Sequence, residues 1–159
     1  MDATFKLAEV IRFKPELAQS FEALNREWIE EYFEIEDADL VIFADPGKEI
    51  VEPGGQIFFV IAESKAVGTC AVVRLNNQVF ELAKMAVSSE ARGRGYGDLL
   101  ISSVINFAKE AGAERLILVS NTQLKPAIAL YEKHGFKSVP ITDAEDYKRV
   151  DIQMELKLS

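Results

Sequence analysis

The chain has 159 residues, 48% of them hydrophobic and 28% charged, with a formal net charge of −8. That length suits a single domain over residues 1–159 with a sizeable buried core, and the charge argues against nucleic acid as a general partner, because phosphate neutralisation needs a basic face. The opening MDATFKLAEV has no long apolar run, and Cys70 and His134 are the only residues of their types. No membrane span or secretory leader is therefore expected, nor a disulfide scaffold or a zinc cluster of cysteine and histidine; the expected setting is a reducing cytoplasm.

In chain order, residues 4–13 read as a first strand. Pro15 suits a first helical position, and Leu17, Phe21, Leu24 and Trp28 recur at helical spacings, carrying a helix to about residue 31. Glu27, Glu30, Glu31, Glu34, Glu36, Asp37 and Asp39 form an acidic segment. It reads first as a solvated helix face; the functional alternative is a collar that concentrates cationic substrates. Asp45-Pro46-Gly47 and Pro53-Gly54-Gly55 mark a loop. Strands at 57–62 and 66–75 follow across a short turn, and Asn76-Asn77 turns the chain into a further strand at 79–87.

That last strand breaks the period of two. Phe80 and Leu82 are apolar at even positions, Met85 and Val87 at odd ones. A β-bulge would cause such a slip, and so would a sheet covered on both faces. Beyond it come Arg92-Gly93-Arg94-Gly95-Tyr96-Gly97 and a helix patterned by Leu100, Ile101, Val104 and Ala108. A glycine-rich turn aimed with a helix N-terminus is an anion site, most naturally for a pyrophosphate. A dinucleotide fingerprint would need glycine where Asp98 stands, and no Gly-Lys-Ser/Thr is present for a triphosphate loop.

After Gly112, residues 115–120 read as a buried strand. Pro126 starts a helix with Ala127, Leu130, Tyr131 and His134 on one face, Gly135 ends it, and 136–139 and 150–158 read as closing strands around a polar, acidic loop. The order is thus strand, two helices, three strands, helix, strand, helix, two strands.

Arg92, Gly95 and Gly97 resemble the acetyl-CoA pyrophosphate loop of the GNAT superfamily of N-acetyltransferases. The stretch ELAKMAV before it is similar to that family's central strand. Asn121, Ala127, Leu130-Tyr131, Lys133 and Gly135-Phe136 resemble its second block. The resemblance implies an α/β (α+β) fold with a mixed, mostly antiparallel central sheet flanked by helices on both faces. It implies acetyl-CoA as cosubstrate, no metal, and direct acetyl transfer to a primary amine of a small molecule or peptide. It leaves room for a homodimer and implies no membrane partner.

The same resemblance assigns the residues. Glu81 becomes the candidate base that removes a proton from the amine, and Tyr131 the candidate acid near the CoA sulfur. Met85, Ala86 and Val87 would contact the acetyl and pantetheine groups through main chain. Arg92, Gly93, Arg94, Gly95, Tyr96 and Gly97 would hold the pyrophosphate, and Asn121 the pantetheine arm. His134 reads as a cation complementing a helix end, Asp98 as a first-turn acid and Cys70 as a buried hydrophobe. The acidic segment, with Asp143, Glu145 and Asp146, favours a cationic acceptor. Two alternatives stand beside this reading: a catalytically silent acyl-CoA-binding module, and a transferase using another acyl-CoA.

Overall fold

Strands rich in Phe, Val and Ile pair here into one sheet whose centre is buried on both sides. In the computed structural model, which describes residues 8–142 and 147–158, the sheet holds seven strands: β1 (Glu9–Arg12), β2 (Gln56–Ala62), β3 (Lys65–Arg74), β4 (Val79–Val87), β5 (Arg115–Ser120), β6 (Lys137–Val139) and β7 (Ile152–Lys157). Their order is β1-β2-β3-β4-β5-β7-β6. All neighbours are antiparallel except β4 and β5, which run parallel on either side of a helical crossover.

Four helices cover the faces: α1 (Ala18–Tyr32), α2 (Asp37–Ala44), α3 (Tyr96–Glu110) and α4 (Lys125–Lys133). The side chains of β2 show why both faces need cover. Phe58 and Val60 join Leu100, Ile101 and Val104 of α3, whereas Ile57 and Phe59 join Phe21 and Ile29 of α1 and Phe43 of α2. Each fully buried side chain of this size contributes about 1.5–3 kcal/mol relative to exposure, so neither face could be left open. Both α3 and α4 end as their glycines require. Gly112 and Gly135 take φ of +84° and +95°, and Ala113 and Phe136 donate back to the carbonyls of Ala108 and Tyr131.

The structure adjusts several sequence expectations. Of the first strand expected at 4–13, residues 9–12 are strand, and 4–7 lie outside the described residues. The segment expected to be loop contains a helical turn, Gly47–Val51, that buries Ile50. The parity slip in β4 is a bulge: Thr69 pairs with Ala86 but Ala71 with Ala83, and Lys84 takes a left-handed φ of +54°. Phe80 and Leu82 before it, and Met85 and Val87 after it, pack against the same cluster beside α3. Two-sided cover also exists, but only the extra residue puts even and odd positions on one face.

Candidate active site

The site arises where two parallel strands part. Strand β4 pairs with β5 only at Val79–Arg115, Phe80–Leu116 and Glu81–Ile117. Past Glu81 the strands diverge, and a cavity of about 700 Å³ opens between them. Residues 82–87 of β4 and Val119, Ser120 of β5 line it, and it reaches both sheet faces, from Leu130 and Tyr131 of α4 to Trp28 and Tyr32 of α1.

At one end lies the glycine turn. Gly93 and Gly95 have φ of +80° and +82°, and a Cβ built on either meets no atom within 4 Å. Both are thus left-handed glycines beside open space. The first amides of α3, which have no intrahelical acceptor, begin at Tyr96. The cradle therefore suits a phosphate-type anion. Gly97 differs: its Cβ would come within 2.5 Å of Leu130 Cδ2, so it lets α3 approach α4. Arg92 lines the cavity and donates from Nε to the Val87 carbonyl at 3.4 Å, whereas Arg94 is exposed and outside the cavity wall.

Asp98, on the cavity wall beside this turn, is neutralised locally. Its Oδ1 lies 2.9 Å from Lys133 Nζ and 2.8 Å from His134 Nε2. Hydrogen bonds from Lys133 and His134 hold its carboxyl below the ordinary range. The sequence reading of His134 as a helix-end cation therefore omitted its partner: it ties the end of α4 to the start of α3.

Glu81, Met85, Ala86, Val87 and Tyr131 all line the cavity. Glu81 stands at the fork, half-buried, at the last β4–β5 pair. Tyr131 is 7% exposed, and burial pushes its phenol well above the ordinary value. No buried side-chain oxygen lacks a partner among the described residues, and none bonds the Tyr131 hydroxyl. That hydroxyl consequently opens onto the cavity. Asn121 also lines it, but its amide donates to the Arg149 carbonyl at 2.8 Å and its Oδ1 accepts from Gln123 N–H at 2.8 Å. Asn121 thus shapes the turn after β5. Cys70 is buried beneath the bulge, with its thiol 3.7 Å from the Ala83 carbonyl and pushed up by burial.

The sequence reading missed the opposite end. There the bulge turns Lys84 toward α2, where its ammonium binds Asp39 and donates to the Tyr147 hydroxyl at 3.0 Å. Arg149 grips the same carboxylate with two bonds of 2.8 and 2.9 Å, and stacks over Tyr147 with its guanidinium carbon 4.5 Å from the ring centroid. Asp39 is fully buried and closes a capping box with Glu36 at the start of α2. Burial alone would raise its carboxyl; hydrogen bonds from Arg149 and the nearby Lys84 charge outweigh this and hold it at about 2. Burial lowers the Lys84 ammonium, opposed by Asp39 and Glu81. The one signal in the sequence was a lysine sitting at the parity slip of an apolar strand.

The expected acidic collar is correspondingly reduced. Asp39 and Glu36 are bound by Arg149 and Lys84, and Glu27 accepts from the Ser89 amide at 3.0 Å. Asp143, Glu145 and Asp146 lie outside the described residues. No group of three or more metal-ligating side chains occurs among the described residues, nor any helix long and apolar enough to cross a membrane.

Proteins similar to this chain in sequence or in fold are named acetyltransferases. The chain is 28% identical over 102 residues to an uncharacterised N-acetyltransferase of Bacillus subtilis, YvbK, covering 62% of this chain and 66% of that one. It is 33% identical over 101 residues to human N-acetyltransferase 8B, covering 59% and 44%. The chain thus spans less than two thirds of the length of either relative. A GNAT-family acetyltransferase structure from Staphylococcus aureus superposes with a TM-score of 0.89 at 19% identity, covering 96% of this chain and 100% of that one. A phosphinothricin acetyltransferase from Sinorhizobium meliloti, solved in complex with acetyl-CoA, does so with 0.78 at 20% identity, covering 96% and 89%. These two show the fold. Residues 17–136 match the profile of the acetyltransferase (GNAT) family; the chain belongs to that family.

Proposed function

We propose that the protein is an acetyl-CoA-dependent N-acetyltransferase that moves an acetyl group directly to a primary amine. The observation that carries this is the single cavity joining the left-handed glycines of the turn to Glu81 and Tyr131. Acetyl-CoA supplies an acyl thioester and a thiolate leaving group. Gly93, Gly95, Tyr96 and Gly97 hold its phosphates through main chain, and the free edge of β4 past Glu81 offers backbone groups to its arm.

An amine at neutral pH is mostly ammonium and cannot attack a carbonyl. Glu81, at the fork, takes that proton directly or through water. Tyr131 offers its hydroxyl where the sulfur departs. With its phenol raised by burial, it stabilises the thiolate chiefly by donating a hydrogen bond.

Two measurements test this. Acetyl-CoA should raise the melting temperature, and ATP and NADH should not. Purified protein with acetyl-CoA and a panel of amines should release free CoA thiol, and Glu81→Gln should slow release most at low pH, where free amine is scarcest. Thermal stabilisation by acetyl-CoA without CoA release from any amine would identify a silent acyl-CoA binder instead. An unchanged pH–rate profile in the Glu81→Gln variant would remove Glu81 as the base.

A further inference from the structure

The acceptor end of the cavity has an unusual charge arrangement. Lys84 and Arg149 both line it, with side chains only 5% and 10% exposed. Their counter-ions are Asp39, fully buried behind them, and Glu36, which pairs with Arg149; neither forms part of the wall. Of the five N–H donors of a guanidinium, Arg149 uses three, two toward Asp39 and one toward Glu36. Of its three, Lys84 uses two, toward Asp39 and Tyr147. Donors of two nearly buried cations therefore remain unspent among the described residues. Among the described residues, the carboxylate on this part of the wall is Glu81, near enough for its charge to act on Lys84. Trp28, Tyr32, Ile42, Val73 and Leu75 add apolar surface to this part of the wall.

A polyamine entering here would bring a second ammonium against Lys84 and Arg149. A neutral amine would displace water from their remaining donors and return no hydrogen bond, which costs free energy. An acceptor with its own carboxylate satisfies them and still presents its amine to Glu81. We infer that the acceptor is an amine bearing a carboxylate, of the amino-acid type with an apolar side chain, and that Lys84 and Arg149 are its specificity-determining residues. This rests on the acetyl-transfer reading above.

The test compares CoA release by the wild-type protein with L-phenylalanine, L-leucine and L-methionine, each beside its carboxamide, and with spermidine. Loss of a charge-assisted hydrogen bond corresponds to about a 10- to 100-fold change. The free acids should therefore exceed their carboxamides by about that factor in kcat/KM, and spermidine should be poorer than the acids. Arg149→Lys, which keeps the charge facing Asp39 but removes the fork, should narrow the acid-to-amide ratio. Carboxamides used as well as the acids, or spermidine used in preference to them, would overturn this inference while leaving acetyl transfer intact. No CoA release with any amine would overturn the transfer reading and this one together.

Discussion

Tyr131 packs in the core and, in the proposed function, also serves the departing sulfur; a single substitution separates the two. Its ring packs edge-to-face on Phe136 at 6.0 Å, whereas its hydroxyl has no partner among the described residues. Tyr131→Phe should therefore change thermal stability little and lower kcat about 100-fold, the low end for a proton-handling group, because solvent can also serve a thiolate with pKa about 8.5. Steady-state kinetics beside a melting curve decide it; a wild-type rate would make the residue core only. Glu81 and Tyr131 could be picked out from their places in two short motifs. Lys84, Asp39 and Arg149 could not, since an acid and a cation about a hundred positions apart show no pairing until the chain folds; the bulge that joins them is visible only as a parity slip.

At the scale of elements, the glycine turn and the start of α3 do two separate jobs. Gly95, left-handed and beside open space, is the one our proposal gives to the ligand. Gly95→Val forces a branched residue into that region at a cost of about 1–2 kcal/mol and fills the cradle, so the variant should fold yet lose its thermal shift with acetyl-CoA. Gly97, with Leu130 at 2.5 Å, belongs to helix packing. Gly97→Val should lower the melting temperature of the ligand-free protein as α4 is pushed away. Equal ligand-free melting temperatures in the two variants would refute this division of labour. The motif spacing marked both glycines as one loop, because spacing carries no information about which neighbour each will face.

For the molecule as a whole, Asp39 links α2, the bulge of β4 and the segment before β7 through Lys84 and Arg149. Its carboxyl sits at about 2 against an ordinary 3.8. A depressed acid stabilises the fold above the unfolded value and loses that contribution as pH falls through the folded one. Asp39 should thus contribute about 2 kcal/mol above pH 4, declining toward pH 2. Asp39→Asn leaves two buried cations short of a counter-charge and should cost about 3–5 kcal/mol, measured by urea unfolding at pH 7. It should also flatten the stability profile between pH 4 and 2. A profile of unchanged slope would show that other acids govern acid unfolding.

Local chemistry determined the elements: alternating apolar runs, the glycines closing α3 and α4, and the proline at the start of α4 depend on near neighbours, so they are readable one stretch at a time. The order of these elements, with the two motifs, also determined the family. Tertiary structure alone decided what the acidic segment does. Glu36 and Asp39 look like a solvated face in sequence, and become the internal anions of an ion cluster once the chain before β7 lays Arg149 beside α2. It also decided where the cavity opens, because the parting of β4 from β5 after Glu81 reflects pairing between strands, which no single strand encodes.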